Sequence, residues 1–113
     1  MRSRWPLLTD LYQLTMVGGY VKEGKKDQWA NFDYFFRKVP DNGGFCIMAG
    51  LEDLIDYIQN LRFSEEELSF LESLRLFSED ILDYFKNFKF SGDIWAIPEG
   101  NVVFPHEPLI RVT

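Results

Sequence analysis

The 113-residue sequence contains only one cysteine and one histidine, Cys46 and His106. A single thiol excludes an internal disulfide and is typical of proteins from a reducing compartment. The sequence also has no G-x-G-x-x-G, no Walker loop, no H-E-x-x-H and no C-x-x-C. Because no complete set of nucleophile, base and oxyanion donors can be assembled from this chain, we predict no catalytic residue and no metal ligand in it.

Long apolar runs are absent as well. No stretch approaches the roughly 18 apolar residues that a membrane span requires, and the basic N-terminus is followed by too little apolar sequence for a signal peptide. The net charge of −6 argues against nucleic acid or an anionic membrane as a partner, since both would be repelled. We therefore expect a cytoplasmic protein that binds an anionic ligand only through a local cluster of cations.

The residues that are present favour a single domain over residues 1–113, because 46% are hydrophobic and 17% aromatic, enough for a core. Cys46 lies in the apolar run FCIMAG and is expected to be a buried, inert thiol. His106 lies between two prolines and is expected in a loop or on the surface, not as a base.

Residues 7–20, LLTDLYQLTMVGGY, predict a helix with two apolar stripes. One stripe consists of Leu11, Leu14 and Val21, and the other of Tyr12, Met16 and Tyr20. A surface helix needs one apolar stripe, so the second is expected to meet another part of the chain, a partner subunit or a ligand. Gly18-Gly19 points the same way, because two helical glycines cost about 2 kcal/mol and are accepted where another backbone or ligand approaches closely.

Cap signals set the predicted helix ends. Thr9 or Asp10 can begin the first helix, Asp10 and Gln13 have the spacing of a capping box, and Gly24 is a good C-terminal cap. Ser64 with Glu67 predicts a second capping box, and Ser78 followed by acidic residues predicts another helix start. With the 3.6-residue apolar period, these signals predict three amphipathic helices between residues 50 and 90.

The remaining segments predict strands and turns. Residues 29–39 alternate as a strand with aromatic side chains on both faces, so we expect both faces to be covered and Arg37 to emerge at its end. Residues 40–44 predict a turn, and 45–49 a short buried strand or the lead into a helix. Residues 93–97 and 101–104 predict a hairpin, and 109–112 another strand. The expected class is α+β, with helices packed on a small mixed sheet.

Four of these segments, TDLYQLTM, FDYFFRKVP, GGFCIMAGL and IPEGNVVFPHEPLIRV, closely resemble the N-terminal region of nicotinate phosphoribosyltransferases. They occur in the family's order and cover nearly the whole chain. The resemblance implies the N-terminal domain of a type II phosphoribosyltransferase-like enzyme. Family members are several times longer and carry an α/β barrel after the point where this sequence stops. An apolar strand pattern at the last residues likewise predicts a continuation.

The resemblance also implies site residues. Tyr12 stands where the family has a tyrosine that reaches across a head-to-tail dimer and stacks on the pyridine ring in the neighbour's barrel. Arg37 resembles an arginine that points to the neighbour's phosphate-binding region, with Lys38 assisting. Asp10 and Thr15 are weaker candidates, because capping explains Asp10 and a hydroxyl bonded to its own helix explains Thr15. The alternatives are core packing for Tyr12 and a solvated strand end for Arg37.

For the whole enzyme, the resemblance implies formation of nicotinate mononucleotide and diphosphate from nicotinate and 5-phosphoribosyl 1-diphosphate in NAD salvage. It implies ATP hydrolysis, Mg²⁺, a homodimer and a C-terminal barrel, while the isolated chain is expected to bind no cofactor and to be inactive. Two relatives are less favoured: a nicotinamide enzyme, whose opening motif tends to read TDSYK, and a quinolinate enzyme, which lacks this motif. A stand-alone binding module derived from the domain is the alternative from a different class.

Overall fold

The computed structural model describes residues 5–113. It contains four α-helices, namely α1 (Leu11–Lys22), α2 (Leu51–Gln59), α3 (Glu65–Ser73) and α4 (Glu79–Lys86). Its five strands are β1 (Phe32–Tyr34), β2 (Cys46–Ile47), β3 (Ile94–Ala96), β4 (Val102–Val103) and β5 (Ile110–Val112), and a short 3₁₀ turn spans Pro40–Asn42. The predicted α+β class is confirmed. No helix in residues 5–113 has the length and apolar character to cross a membrane.

The chain forms two compact units. The first, called here the helical unit, comprises the chain up to Gln28 together with Gln59–Phe90 and contains α1, α3 and α4. The second, called the strand unit, comprises Trp29–Ile58 and Ser91–Thr113 and contains all five strands and nearly all of α2. Within the strand unit, α2 packs on the sheets, because its Leu51 and Leu54 contact the core of this unit.

The core of the helical unit is formed by Leu14, Leu71, Ile81 and Phe85 from its three helices. Gly18 lets α1 approach α4, because a Cβ atom at that position would lie 3.2 Å from Ile81 Cδ1. Gly19 has no such neighbour, since a Cβ atom there would meet nothing within 4 Å. The prediction of close approach is thus right for Gly18 and has no counterpart for Gly19 in the described chain.

Two of the predicted helix ends are confirmed. Ser64 and Glu67 form a capping box, in which the Glu67 amide donates to Ser64 Oγ (3.3 Å) and the Ser64 amide donates to Glu67 Oε2 (2.7 Å). Gly24, with φ of 67°, ends α1 in the left-handed conformation that glycine adopts readily. The Lys25 amide then donates back to the Tyr20 carbonyl at 2.8 Å, which satisfies one of the last helical carbonyls.

Two more predicted helix starts are confirmed in position, since Asp10 and Ser78 are the N-caps of α1 and α4, but neither makes a side-chain capping bond. Asp10 precedes α1, but its side chain makes no capping hydrogen bond, so the Asp10–Gln13 capping box is wrong. The Gln13 amide is instead satisfied by the Asp10 carbonyl at 3.0 Å. Ser78 also makes no capping bond, because its hydroxyl donates to the Asp80 carboxylate. That hydrogen bond lowers the pKa of Asp80 below its ordinary value.

The sheets of the strand unit are antiparallel throughout, so the predicted mixed sheet is wrong. One sheet has the order β1-β5-β3 and the other pairs β2 with β4. The predicted hairpin between residues 93–97 and 101–104 is also wrong, because β3 pairs with β5 and β4 pairs with β2. The cause is the turn at Gly100, whose amide donates to the Met48 carbonyl at 2.9 Å and turns the chain towards β2.

The same turn supplies the cap of α2. Glu99 Oε1 accepts a hydrogen bond from the Leu51 amide at 2.6 Å, so a carboxylate 48 residues away satisfies a free donor at the helix start. The core beneath it contains Met48, Val103, Leu109 and Ile110. The turn therefore fixes both the start of α2 and the course of β4.

The aromatic side chains of β1 are not covered as predicted. Phe32 is 71% exposed and Tyr34 is 61% exposed, while Phe36, beyond the end of the strand, packs against the core of the strand unit. The regular strand is also shorter than residues 29–39, because only Phe32–Tyr34 pair in register with β5. The expectation that both faces are covered is thus not met within the described residues.

Candidate functional site

Tyr12 lies on the outward side of α1 with 56% of its surface exposed. Its hydroxyl accepts a hydrogen bond from Gln13 Nε2 at 3.0 Å, which leaves the ring itself uncovered. The alternative of core packing is wrong for this tyrosine in the described chain, since the buried residues of α1 are Leu14 and Gly18. An exposed aromatic ring with a hydrogen-bonded hydroxyl is suited to stacking on a planar ligand.

The exposed apolar side chains around Tyr12 form what we call the outer face of α1. It consists of Tyr12, Met16 and Tyr20, each between 45% and 56% exposed. The sequence predicted two apolar stripes, and the structure buries Leu14 of the first stripe together with Gly18, while Leu11 of that stripe is 48% exposed. The second stripe is therefore open to contact in the described chain.

Asp10 and Thr15 flank Tyr12 on the same segment. Thr15 Oγ1 donates to the Tyr12 carbonyl at 3.1 Å, so the predicted bond of this hydroxyl to its own helix is confirmed. The carboxylate of Asp10 is exposed and makes no capping bond. Of these two, Asp10 keeps its side-chain oxygens available and Thr15 uses its hydroxyl proton within the helix.

Arg37 and Lys38 lie in the loop that joins β1 to the 3₁₀ turn, and both side chains are exposed. Neither makes a hydrogen bond or an ion pair with any residue in the range 5–113 that the structure describes. The sequence predicted that Arg37 lies at the end of a strand. In the structure it is a loop residue three positions after the end of β1. Asp10, Tyr12 and Thr15 belong to the helical unit, and Arg37 and Lys38 belong to the strand unit.

Arg37 and Lys38 are two of the three cationic side chains of the strand unit. Its third cationic side chain, Arg111, forms a bidentate ion pair with Asp33 across β1 and β5, with N–O distances of 2.7 and 2.9 Å. The hydrogen bond from Arg111 lowers the pKa of Asp33, and the same bond raises the pKa of Arg111. Since Arg111 is committed to Asp33, Arg37 and Lys38 are the cations of this unit that remain available to an anion.

The sequence predicted that His106 lies in a loop or on the surface, but it did not predict the contacts of this residue. It lies in the loop before β5, as expected, with an unusual φ of 65°. Its amide donates to the Phe36 carbonyl at 2.8 Å, and its ring lies 6.1 Å from the ring of Phe35. The position between two prolines indicates a tight turn, but no local pattern indicates a contact with residues some 70 positions earlier.

The described residues offer no obvious metal site. No group of three or more histidine, cysteine, aspartate or glutamate side chains within residues 5–113 is arranged to hold a metal ion. Cys46 is a free thiol in β2 and is half-buried, less enclosed than predicted. What this chain presents is an exposed aromatic ring on one unit and an uncommitted pair of cations on the other.

A family model supplies the decisive comparison. The model described as the nicotinate phosphoribosyltransferase (NAPRTase) N-terminal domain matches residues 7–113. The chain belongs to the nicotinate phosphoribosyltransferase family. The resemblance seen in the four sequence segments is thereby confirmed, and the chain corresponds to the N-terminal domain of that family.

Individual relatives agree with the family. Nicotinate phosphoribosyltransferase 1 of Arabidopsis thaliana is 43% identical over 109 residues, and the Bacillus subtilis enzyme is 42% identical over 106. These matches cover 95% and 94% of this chain but 20% and 22% of the relatives. The crystal structure of the human nicotinic acid phosphoribosyltransferase superposes with a TM-score of 0.82 at 34% identity, over 93% of this chain and 22% of that one. The chain thus spans about a fifth of the length of its relatives.

Proposed function

We propose that this chain acts as the N-terminal domain of an enzyme that forms nicotinate mononucleotide and diphosphate from nicotinate and 5-phosphoribosyl 1-diphosphate. The single observation that supports this most is the match to the family's N-terminal domain over residues 7–113. In this proposal the reaction brings nicotinate into NAD salvage and is coupled to ATP hydrolysis. The active sites lie in the barrels of a cytoplasmic homodimer, and this domain contributes to the neighbour's site.

Tyr12 is proposed to stack on the pyridine ring of nicotinate in the partner's barrel. Its exposed ring and its position outside the core support this role. Pyridine is a planar, electron-poor ring, and an aromatic stack of this kind is worth about 0.5–1.5 kcal/mol beyond the area it buries. The rest of the outer face of α1 would then be covered in the dimer, which accounts for its exposure here.

Arg37 is proposed to contact the diphosphate group of 5-phosphoribosyl 1-diphosphate, with Lys38 adding a second positive charge. Their exposure, and the commitment of Arg111 to Asp33, support this role. Displacement at the anomeric carbon of the ribose releases diphosphate and builds negative charge on it. Cations that bind the leaving group therefore stabilise the transition state more than the ground state.

Magnesium and ATP are proposed for the whole enzyme and not for this domain. Residues 5–113 include no group of three or more acidic, histidine or cysteine side chains suited to a metal ion. The role of this domain is to bind and orient the substrates that the barrel brings into reaction.

A domain exchange tests the proposal. Residues 7–113 of this chain would replace the matching segment of the Bacillus subtilis relative, to which it is 42% identical over 106 residues. We expect this chimera to form nicotinate mononucleotide and to discriminate against nicotinamide. We expect the isolated 113-residue chain to show no turnover, because its site is shared with the barrel.

The controls decide between the alternatives. The Bacillus subtilis enzyme lacking its N-terminal segment should be inactive, which would show that activity of the chimera depends on the exchanged domain. A folded, dimeric chimera without activity would contradict the proposal and favour a stand-alone module. Turnover by the isolated chain above a blank would contradict the shared site.

A further inference from the structure

The segment that contains β1 contacts the segment that contains β5 over more than the three paired residues of the strand. Before the strand, Thr113 Oγ1 donates to Asn31 Oδ1 at 2.8 Å, and within it Arg111 pairs with Asp33. After the strand, the Leu109 amide donates to the Tyr34 carbonyl at 2.8 Å. These contacts thus cover residues 31–34 and continue in the direction of Arg37.

The last of these contacts is made by His106. Its amide donates to the Phe36 carbonyl at 2.8 Å, so the residue immediately before Arg37 is held by the turn that precedes β5. The His106 ring also lies 6.1 Å from the Phe35 ring, with an angle of 40° between the planes. The side chain of Phe36 packs against the core of the strand unit, which fixes the same residue from its other side.

The amide can point at Phe36 because His106 adopts a φ of 65°. Histidine, asparagine and aspartate enter this left-handed region more often than other residues, whereas a β-branched residue there is a genuine outlier. Glu107 stabilises the turn, since its Oε2 accepts from the Phe104 amide at 3.2 Å. The conformation at residue 106 therefore decides whether the segment before Arg37 is held.

We propose that His106 is a positioning residue for Arg37, holding the Arg37 loop in place through its left-handed backbone and the hydrogen bond from its amide to the Phe36 carbonyl. This inference rests on the proposed role of Arg37 in binding the diphosphate of 5-phosphoribosyl 1-diphosphate. Arg37 has no side-chain partner of its own in the described chain, so its direction depends on the backbone that carries it. A guanidinium that must meet phosphate oxygens with two donors loses affinity when its backbone is displaced.

The test uses variants of the chimera described above. His106→Val should raise the KM for 5-phosphoribosyl 1-diphosphate severalfold, with Arg37→Ala, at about tenfold, as the upper limit. His106→Gly should stay near the parent KM, because glycine adopts positive φ freely and keeps the amide. In the Arg37→Ala background, His106→Val should have no further effect on this KM, and in every variant the KM for nicotinate should change less than the KM for 5-phosphoribosyl 1-diphosphate.

Arg75 provides a matched control. It has a φ of 56°, is exposed and lies in the helical unit, so Arg75→Val imposes similar backbone strain far along the chain from the Arg37 loop. We expect this variant to lower the melting temperature comparably and to leave the KM unchanged. An equal rise in KM for Arg75→Val, or an added effect of His106→Val in the Arg37→Ala background, would overturn the positioning role.

The kinetics distinguish a wrong role for Arg37 from a wrong positioning role for His106. If Arg37→Ala leaves the KM for 5-phosphoribosyl 1-diphosphate unchanged, the role of Arg37 is wrong and the positioning role falls with it. If Arg37→Ala raises the KM and a folded His106→Val does not, only the positioning role is wrong. Should His106→Val fail to fold, His106→Ala replaces it, because alanine lacks the polar side chain that favours left-handed backbone in histidine.

Hydrogen exchange of the 113-residue chain gives a second, independent measurement. The His106 amide should be protected by its bond to Phe36, and His106→Val should lose that protection while His106→Gly keeps it. Rapid exchange of this amide in the unmodified chain would overturn the proposal.

Discussion

The two units of this protein are stabilised over very different sequence distances. In the helical unit, the core residues Leu71, Ile81 and Phe85 are close in sequence, and only Leu14 comes from a distant segment. In the strand unit, β1 pairs with β5, and the Asp33–Arg111 ion pair joins residues 78 positions apart. The first unit depends on local helices that pack on one another, and the second depends on contacts between segments nearly 80 positions apart, such as β1 and β5.

The proposed site follows the same division. Tyr12 is placed by a helix, whose periodicity determines which residues face outward. Arg37 lies in a loop, and the residue before it, Phe36, accepts a hydrogen bond from the amide of His106 in the turn before β5. A residue on a helix is thus oriented by local structure, while a residue on this loop depends on tertiary contacts.

The largest expected effect concerns the core of the helical unit. Phe85 is 2% exposed and contacts the rings of Phe63 and Phe77 at centroid distances of 5.0 and 5.7 Å. Phe85→Ala should lower the free energy of unfolding by about 3–5 kcal/mol, because it removes a large buried side chain and leaves a cavity. Chemical denaturation measures this, and Phe70→Ala, at an exposed position of α3, is the matched control with an expected change within about 0.5 kcal/mol. Equal losses in the two variants would contradict the assigned core.

The next effect concerns the strand unit. Arg37→Ala in the chimera should raise the KM for 5-phosphoribosyl 1-diphosphate about tenfold or more, since a hydrogen bond to a charged group is worth about 1.5–3 kcal/mol. The KM for nicotinate should change less, and steady-state kinetics with each substrate varied in turn measures both. Small, equal changes in the two KM values would indicate that Arg37 is a solvated loop residue.

Substitution of Tyr12 should affect the KM for nicotinate more than the KM for 5-phosphoribosyl 1-diphosphate, the opposite of what is expected for Arg37. Tyr12→Ala should raise the KM for nicotinate with little loss of thermal stability, because the ring lies outside the core, whereas Tyr12→Phe keeps the stack, worth about 0.5–1.5 kcal/mol, and should be mild. Mixed dimers locate the contact: a Tyr12→Ala subunit combined with a barrel-inactivated subunit should recover one working site. No recovery after verified subunit exchange would exclude a contact across the dimer.

The glycines of α1 give a smaller effect in the helical unit. Gly19→Ala should stabilise the isolated chain by about 0.5–1 kcal/mol, because alanine is the better helix former and its Cβ meets no neighbour within 4 Å. Gly18→Ala should stabilise the chain less, because its Cβ would lie 3.2 Å from Ile81 Cδ1 and the Ile81 side chain must shift. Melting curves of the two variants measure the difference, and a larger gain at Gly18 would contradict the close approach of α1 to α4.

The smallest effect concerns the ion pair of the strand unit and its dependence on pH. The Arg111 hydrogen bond lowers the pKa of Asp33 below its ordinary value of 3.8, so the folded state favours the ionised carboxylate. This contribution is present above the unfolded pKa and is lost as the pH falls through the lower, folded pKa. Asp33→Asn should therefore weaken the acid dependence of stability, which denaturation curves over a series of pH values measure. Identical acid profiles for Asp33→Asn and the parent would contradict the pair in solution.

Tyr12 and Arg37 were found by resemblance, and the structure adds the physical basis on which each can be tested. For Tyr12 the basis is exposure of the ring, which removes core packing as the explanation. For Arg37 it is the comparison with Arg111, whose pairing with Asp33 leaves Arg37 and Lys38 available. No sequence pattern distinguished Arg111 from Arg37, because the partner that commits Arg111 is remote in the chain.

The helices, their period and the caps at Ser64 and Gly24 could be predicted from the sequence, because these features depend on residues within one or two turns of each other. The strand partners depend on tertiary contacts, since strands of two or three residues carry too little pattern to choose between neighbours. The amide of Gly100 bonded to Met48, and that of His106 bonded to Phe36, direct β4 to β2 and hold the Arg37 loop. Every residue except proline carries the same backbone donor and acceptor, so the pattern of side chains does not reveal which backbone groups pair.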